Sequence, residues 1–268
     1  MRNSDRGLRD SLIRAVGRLD YHVADRTRPD DVRRVLRSLR PVDGGYELIR
    51  LGPEGDGGYL VPDDLAGIEY AYSPGVSTES GFEAALAARG QRIFLADYSV
   101  DGPAQRNPAF VFEKKFVGGL SDDVYMTLAQ WKEATIGAYD GDLLLQMDTE
   151  GAEYETLLAA PAALLAQFRL MVIEFHYLHE LLNKRYFELV SRAFQKLLQT
   201  HTVVHIHPNN CCGSVKADGL ELPRIAEFTL QRSDRLRRHS FCRTFPHPLD
   251  RNNTRKPTLV LPRCWYGE

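Results

Sequence analysis

The sequence predicts an α/β fold in which a mainly parallel sheet carries helices on both faces, and two observations favour it. From residue 46 onward short apolar segments recur along the chain, and stretches with helical periodicity separate several of them. The chain has 268 residues, of which 43% are hydrophobic, so it can bury one large core. We therefore expect one main globular unit with an added segment.

The first 45 residues have a different pattern. Apolar residues recur at helical spacing among arginine and aspartate over residues 8–19, and again in DDVRRVLRSLR, residues 30–40. These patterns predict a pair of amphipathic helices, and we assign a helical appendage to residues 1–45 and the main domain to residues 46–268. The arginine-rich faces would suit an acidic partner or peripheral contact with an anionic membrane, but a solvated helix face explains them more simply.

Eight apolar segments of the main domain predict strands. In chain order they read YELIRL, EYAYSPGV, QRIFLADYS, FVFEKKFVG, DLLLQMD, RLMVIEFH, TVVHIHP and AEFTLQR. Of the helices between them, STESGFEAALAARG begins at a Ser/Thr cap and ends at Gly90, and KRYFELVSRAFQKLLQT is apolar along one side. This order predicts a mainly parallel sheet, in which ligands bind beyond the carboxyl ends of the strands.

The ends of the first two central strands carry residues suited to a nucleoside. Gly75 follows the first strand, where the backbone could approach a ligand, and Ser77 or Thr78 heads the next helix. Asp97 follows the second strand about 20 residues later, where a carboxylate can accept hydrogen bonds from both ribose hydroxyls. A simple turn at Gly75 and a helix cap at Asp97 are the alternative interpretations.

The next two strand ends extend this pocket. After the third strand, in FVGGLSDD, Leu120, Ser121 and Asp122 could border an adenine ring. The fourth strand runs into LLQMDTEGAEYETLL, which we interpret as strand, turn and helix, with Asp148 at the strand end and Glu150 two residues later. Acidic residues are rarely buried without partners, so we expect these carboxylates to line a cleft beside the nucleoside pocket.

Two further strands end in pairs of polar residues. Glu174 and His176 lie two apart in IEFH, as do His205 and His207 in HIH, and a strand places such residues on one face. Such a cluster can act as a general base with its orienting partner, can hold a divalent metal such as Mg²⁺ or Mn²⁺, or can form a purely structural polar network. The base hypothesis involves Asp148, Glu174, His176 and His207, and the metal hypothesis involves Asp148, Glu174, His176 and His205.

Three loops offer further polar groups. GDGGYLVP contains Asp56 beside a Gly-Gly pair and predicts a hairpin turn over the cleft. HPNNCCG supplies Asn209 and Asn210, whose amides can bind sugar hydroxyls, although a turn explains them as well. The basic segment RSDRLRRH could contact a phosphate-bearing acceptor, such as a lipid-linked or nucleotide-linked glycan, and a solvated loop is the simpler interpretation.

In these segments the chain resembles the FkbM-type methyltransferases, over residues 46–235. The similarity rests on QMDTEGAEYETLL, FRLMVIEFHYL, FLADYS and the glycine turn. It implies a seven-stranded class I methyltransferase sheet whose last strand is antiparallel, S-adenosylmethionine as cofactor, and often a sugar hydroxyl as acceptor. By the same resemblance Gly75 is the glycine turn, Asp97 binds the ribose and Asp148 is the acid at the fourth strand. The chain departs from the family in this turn, where SPGVSTE replaces a sequence close to DxGANxG.

The residues and the resemblance together predict an S-adenosylmethionine-dependent O-methyltransferase that acts on a sugar hydroxyl of a surface glycan or its precursor. Methyl transfer is an in-line displacement, so the protein has to align the acceptor, exclude water and assist removal of a hydroxyl proton. The alternatives are a non-catalytic binding module of the same fold and a nicotinamide-dependent oxidoreductase, although the sequence lacks GxGxxG and a clear Tyr-x-x-x-Lys pair. The predicted cofactor-binding residues are Gly75, Ser77, Asp97, Ser121, Asp122 and Asp148.

Composition narrows the partners and the compartment. The formal net charge is -2, so no overall positive field draws the chain to nucleic acid. No apolar run approaches the roughly 20 residues needed to span a bilayer, and the N-terminal residues lack the apolar stretch of a secretory signal. We therefore expect a cytoplasmic protein with reduced thiols, since neither zinc-module nor disulfide spacing is found at Cys211, Cys212, Cys242 and Cys264.

Overall fold

The computed structural model describes residues 24–76 and 78–267, together with Ile13, Val16 and Arg18. In this part of the chain the strands are, in order, β1 (Val42–Asp43), β2 (Leu48–Leu51), β3 (Tyr59–Pro62), β4 (Tyr70–Pro74), β5 (Arg92–Ala96), β6 (Phe110–Glu113), β7 (Phe116–Gly118), β8 (Tyr125–Thr127), β9 (Leu143–Met147), β10 (Phe168–Phe175), β11 (His201–Pro208), β12 (Ser214–Ala217), β13 (Leu220–Pro223), β14 (Ala226–Arg232) and β15 (Ser240–Phe241). The α-helices are α1 (Pro29–Ser38), α2 (Gly81–Ala87), α3 (Leu128–Ile136), α4 (Glu153–Ala159), α5 (Ala162–Gln167) and α6 (Lys184–Leu197).

Seven of these strands form one sheet, in the spatial order β11, β14, β10, β9, β4, β5, β6. The strands from β10 to β6 pair in parallel, whereas β14 is antiparallel to both β10 and β11. The fold is therefore the predicted α/β, Rossmann-like sheet, and its last strand is antiparallel. All eight predicted segments form strands, but YELIRL contributes β2 to a separate hairpin with β3.

The strand order reverses between β4 and β9. From β4 the chain continues to β5 and β6 on one side, and it then returns to add β9 and β10 on the other side. Crossover connections leave in opposite directions at such a point, so a crevice opens at the carboxyl ends of the two strands. The fold thus directs attention to the residues that follow β4 and β9.

Both faces of the sheet are covered by buried apolar side chains. Strand residues alternate between the faces: Tyr72 and Leu145 belong to the cluster packed under α1 and α3 to α6, and Ala71 and Leu144 belong to the cluster packed under α2 and the β2–β3 hairpin. Helices therefore lie on both faces, as predicted, but one face depends mainly on a hairpin.

Helix α1 is the second of the two predicted N-terminal helices. Its buried residues Val32 and Leu36, with Leu39 just after it, are fully buried in the larger of the two clusters. The first predicted helix, residues 8–19, lies outside the described residues apart from Ile13, Val16 and Arg18. The boundary between residues 1–45 and 46–268 stays a prediction, but removing α1 would expose part of the main core.

Ion pairs hold the amino-terminal edge of the sheet together. Arg169 at the start of β10 contacts Asp142 at 2.6 Å and Asp64 at 3.6 Å. Arg232, at the end of antiparallel β14, pairs with Asp142 at 2.5 Å, and Arg235 pairs with Asp64 at 2.6 Å. The arginines lower the pKa of Asp64 and Asp142 despite burial, which opposes ionisation.

Most of the basic segment RSDRLRRH is therefore bound to the protein itself. Arg232 and Arg235 form the pairs just described, Arg238 lies 3.4 Å from Asp43, and the Arg237 guanidinium stacks 3.9 Å from the centre of the Tyr46 ring. These contacts leave less charge for a phosphate-bearing acceptor than the sequence suggested.

Among the described helices, none combines the length and the apolar character needed to cross a membrane.

Candidate functional site

A cavity of about 440 Å³ opens where β4, β5 and β9 end. It occupies the crevice at the reversal of strand order, where parallel sheets bind their ligands. Its lining residues come from the strand ends, from β7 and β8, and from the turn before α4: Gly75, Ala96, Asp97, Ser99, Phe116, Val117, Tyr125, Asp148, Thr149, Glu150 and Ala152.

Gly75 lines this cavity, but packing against the protein is what requires a glycine. Its φ is +91°, and a Cβ atom would lie 1.5 Å from the carbonyl oxygen of Asp148. Its N–H donates to the carbonyl of Ala96 at 2.9 Å, and the N–H of Asp148 donates to Pro74 at 3.1 Å. The glycine thus lets the ends of β4, β5 and β9 close on one another beside the cavity.

The turn after Gly75 differs in detail from the prediction. Helix α2 begins at Gly81 with Ser80 as the N-cap residue, rather than at Ser77 or Thr78. Ser77, predicted to bind the cofactor, lies outside the described residues. The loop between β4 and α2 is therefore longer than the sequence suggested.

Asp97 follows β5 and presents one carboxylate oxygen for a ligand. The residue is 7% exposed, and its Oδ1 accepts hydrogen bonds from the N–H and hydroxyl of Ser99 at 2.7 and 2.6 Å. Its Oδ2 has no hydrogen bond within the described part of the chain, although the side chain lines the cavity. The bonds from Ser99 fix the carboxylate, so the second oxygen is held ready to accept hydrogen bonds.

Ser121 and Asp122, the other predicted cofactor residues, are exposed and are not among the residues that line the cavity. The Oδ1 atom of Asp122 accepts the N–H groups of Val124 and Tyr125 at 2.7 Å each, so it stabilises the turn before β8. The predicted segment FVFEKKFVG forms two strands, β6 and β7, and pairing of β7 with β8 brings Tyr125 to Phe116, with ring centroids 5.4 Å apart. These two rings, which the sequence reasoning missed, give the cavity an apolar wall.

Three carboxylates, Asp148, Glu150 and Glu153, lie in the turn before α4 and at its first residue, and their environments differ. Asp148 borders the cavity, the side chain of Glu150 is 85% exposed, and Glu153 is fully buried. Glu153 Oε1 accepts the N–H groups of Thr149 at 3.1 Å and Gly151 at 3.0 Å, so it fixes the turn that leads into α4. Glu153 is thus a structural residue, and the cleft is lined by the other two acids.

His176, just after β10, joins these carboxylates. Its Nδ1 lies 3.1 Å from Glu153 Oε1, and its Nε2 lies 3.3 Å from Glu150 Oε2 and 3.9 Å from Asp148 Oδ1. The hydrogen bond with buried Glu153 orients the ring so that Nε2 points toward the cleft. The predicted convergence of Asp148 and His176 is therefore found in the structure.

A row of titratable residues continues from this cluster across four strands. Glu174 on β10 lies next to Asp148, and the strand register pairs it with Glu227 on β14, which in turn pairs with His207 on β11. The side chains of Glu174, Glu227 and His207 are buried. Sequence reasoning missed Glu227 because β14 is antiparallel, so its first residues, rather than its last, reach this edge of the sheet.

Asparagine side chains hold the two buried glutamates. Asn209 donates to Glu174 Oε1 at 2.9 Å, and Asn253 donates to Glu227 Oε1 at 2.7 Å and to Asp56 Oδ1 at 3.0 Å. Asn210, the other predicted sugar-binding amide, instead donates to backbone carbonyls of the C-terminal segment, such as Lys256 at 2.7 Å. Asn253 thus links the loop 52–58 and the segment 250–256 to Glu227.

His205 does not lie with the other predicted metal ligands. Its Nε2 contacts Asp250 Oδ1 at 2.8 Å, while His207 Nδ1 lies 3.6 Å from the other oxygen of the same aspartate. These contacts with the two imidazoles lower the pKa of Asp250 although burial opposes it. The pair of histidines therefore anchors the C-terminal segment through Asp250, which the sequence reasoning did not identify.

The environment shifts the pKa values along the row. Loss of solvent raises the pKa of Asp148 to about 7 and that of Glu227 to about 7, although His176 and His207 oppose these shifts, and burial with the neighbouring Asp148 raises the pKa of Glu174 well above its usual value. Burial disfavours a charged His176, but Glu153 and the nearby carboxylates outweigh it and raise the pKa of the imidazole. Groups that titrate near neutral pH suit acid and base chemistry.

Comparison with protein-family models gives no match to this chain, and a search of curated proteins gives none either. The resemblance to the FkbM-type methyltransferases therefore depends on the sequence segments that carry it.

Proposed function

We propose that this protein is an S-adenosylmethionine-dependent O-methyltransferase. The observation that carries the proposal is the cavity at the reversal of strand order, which joins an available carboxylate oxygen on Asp97 to the Asp148 and His176 cluster. A nucleoside-binding position and a cluster with acid and base character are thus neighbours at one edge of the sheet. The segments shared with the FkbM-type methyltransferases favour the same activity.

The residues around the cavity fit this cofactor. A volume of about 440 Å³ falls within the roughly 300–1,000 Å³ of small-molecule sites. Asp97 would accept hydrogen bonds from the ribose, and the apolar wall of Phe116, Val117 and Tyr125 would cover the adenine ring. When bound, S-adenosylmethionine supplies an electrophilic methyl group on a sulfonium.

The residues beyond Asp148 would act on the acceptor. A hydroxyl that attacks the methyl group loses its proton, and Asp148 and His176 offer an oxygen and a nitrogen 3.9 Å apart to receive it. Glu153 keeps the imidazole oriented through its bond to Nδ1. The adjoining Glu174, Glu227 and His207 are buried, and Asn253 ties the loop 52–58 to Glu227, an arrangement that would limit the access of water.

The acceptor class follows from the resemblance, which implies a sugar hydroxyl of a surface glycan or its precursor. Peripheral contact with a lipid-linked glycan belongs to the same proposal, as does a cytoplasmic location. Transfer of a labelled methyl group from S-adenosylmethionine to a panel of glycans, with mass analysis of the product, tests the acceptor directly. Label in none of the glycans, with active controls for the assay, would remove the acceptor assignment.

Calorimetry of the full chain separates this proposal from its alternatives. Binding of S-adenosylmethionine at micromolar concentration is expected, together with no binding of nicotinamide dinucleotides. Binding of a nicotinamide dinucleotide alone would favour an oxidoreductase. Binding of neither, by protein with a cooperative unfolding transition, would favour a non-catalytic module of the same fold.

A further inference from the structure

We propose that Asp148, Glu174 and His176 bind one divalent cation of the manganese type at the inner end of the cleft. Each of the three residues offers a ligand atom, and these atoms lie within 4.8 Å of one another. The ion would be held by two carboxylates and one imidazole. The inference rests on the proposed function only for the role of the ion in turnover, because binding of the ion is tested without cofactor or acceptor.

The orientation of His176 is the first support for a cation. Carboxylates commonly hold the second ring nitrogen of metal-binding histidines, and buried Glu153 lies 3.1 Å from Nδ1 in this way. Nε2 lies 3.3 Å from Glu150 Oε2 and 3.9 Å from Asp148 Oδ1. A divalent cation between these atoms would replace the ring proton that the carboxylates favour, and Nε2 would then coordinate it through its lone pair.

An oxygen without a partner is the second support. Asp148 Oδ1 is buried and makes no hydrogen bond within the described part of the chain. Buried acceptors are nearly always satisfied by a donor, a water molecule or an ion. This oxygen belongs to the same three-residue group and faces the imidazole, so a cation bound there would satisfy it.

The surroundings of Glu174 are the third support for a cation. The residue is 5% exposed, and among the described residues it forms no ion pair with lysine or arginine. Asn209 donates to its Oε1 at 2.9 Å, and the amide oxygen of Asn209 in turn accepts the N–H of Cys211 at 2.9 Å, which fixes the amide orientation. Such outer contacts orient ligand side chains in metal sites.

The ligand types select the class of ion. Carboxylate oxygens suit Mg²⁺, Ca²⁺ and Mn²⁺, whereas imidazole suits transition metals. Mn²⁺ accepts both kinds of ligand, so a site with two oxygens and one nitrogen favours it over Mg²⁺. A bound ion would occupy the atoms that Asp148 and His176 otherwise offer as bases, and in the proposed reaction it would take over their role by polarising the acceptor hydroxyl and assisting the loss of its proton.

The test titrates Mn²⁺ into the metal-free full chain, with binding followed by the loss of the free-ion electron paramagnetic resonance signal and by calorimetry. We expect one bound ion per chain. Glu174→Gln, which keeps an oxygen for Asn209, and His176→Gln should each weaken binding by roughly tenfold or more. Two control variants should bind Mn²⁺ like the native chain: Asp97→Ala in the cavity and Glu155→Gln, an exposed acid on α4.

Three results would overturn the ion site. They are no binding of Mn²⁺ by folded native chain, unchanged binding by folded Glu174→Gln, and binding of Zn²⁺ alone, which would contradict the choice of ion. S-adenosylmethionine is titrated into the same preparations to distinguish this failure from failure of the proposed function. Binding of Mn²⁺ without binding of the cofactor would support the ion site and reject the methyltransferase proposal. Binding of the cofactor without binding of Mn²⁺ would reject only the ion site.

Discussion

The two edges of the central sheet place their carboxylates in opposite environments. At the amino-terminal edge, Asp64 and Asp142 pair with three arginines, and their pKa values are lowered. At the carboxyl-terminal edge, Asp148, Glu174 and Glu227 form no ion pair with lysine or arginine among the described residues, and their pKa values are raised. The same residue types therefore serve stability at one edge and, within the described part of the chain, lack lysine or arginine partners at the other.

This difference separates a structural network from a candidate site. A buried ion pair with satisfied hydrogen bonds needs no ligand to remain in place. Buried carboxylates without cationic partners are costly to ionise, so a fold retains them where a proton, a cation or a ligand completes the group. The comparison predicts that neutral substitutions have opposite consequences for stability and activity at the two edges.

The largest effect is expected on turnover at the carboxyl-terminal edge. Glu174→Gln should lower the chemical rate by about 10²- to 10⁴-fold, because glutamine can neither take up a proton nor bind a cation as a carboxylate does. Cofactor affinity should change little, since Glu174 does not line the cavity of about 440 Å³. Single-turnover kinetics with labelled cofactor measures both quantities, and Glu155→Gln is the matched exposed control. Full turnover by folded Glu174→Gln would reduce the row to a structural network.

A loss of stability, rather than of turnover, is expected from a substitution at the amino-terminal edge. Arg169→Met leaves Asp64 and Asp142 with one arginine each but removes hydrogen bonds to charged groups, a loss of about 1.5–3 kcal/mol. Urea unfolding measures the change in the free energy of unfolding. Lys114→Met, which breaks an exposed pair with Asp101, serves as the control and should change little. Equal losses in the two variants would mean that the buried edge is not what holds the sheet.

The pH dependence of stability should distinguish the edges by sign. Glu227 has a folded-state pKa of about 7 and an ordinary value of 4.5, so the folded chain binds its proton between these limits. The stability that this proton gives is complete below about pH 4.5 and is lost as the pH rises through 7. Asp64, whose pKa is lowered from 3.8, instead loses its contribution as the pH falls below that value.

Glu227→Gln tests the predicted contribution of Glu227 to the pH dependence of stability. Relative to the native chain, the free energy of unfolding of the variant should rise by about 1–3 kcal/mol between pH 5 and 8. Chelator is present throughout, so that bound ions do not contribute. Neighbouring His207 also has a raised pKa, of which Glu227 is one cause, so its smaller shift in the variant changes the difference in the same direction. A difference between the two chains that stays constant over this range would contradict the raised pKa of Glu227.

Much of the fold and of the candidate site could be predicted from the sequence, because strands and the residues that follow them lie within single segments. Strand ends in a parallel sheet meet at one edge, so the placement of Asp97, Asp148, Glu174 and His176 at that edge could be predicted from their positions in the sequence. The glycine at position 75 was found in the same way, although its φ of +91° and its contact with Asp148 give it a packing reason that no sequence pattern contains.

The rest depends on contacts between distant segments. Glu227 begins an antiparallel strand, and only the position of that strand in the sheet brings it beside Glu174. Asp250 and Asn253 lie in an irregular segment without periodicity, so their bonds to His205 and Glu227 could not be predicted.

The apolar wall of the cavity likewise depends on the pairing of two short strands, β7 and β8. It brings Tyr125 to Phe116, while Ser121 and Asp122, chosen for their place after a strand, remain exposed. Whether these two residues bind the cofactor stays a prediction.

The central claim is that the cavity binds S-adenosylmethionine through Asp97, and calorimetric titration of the cofactor into Asp97→Ala tests it most directly. The substitution should weaken binding by about 1–3 kcal/mol, or about 5- to 150-fold, because it removes charge-assisted hydrogen bonds to the ribose. Glu155→Gln, an exposed acid on α4, should bind like the native chain. Unchanged affinity in folded Asp97→Ala, or equal losses in the two variants, would contradict the claim.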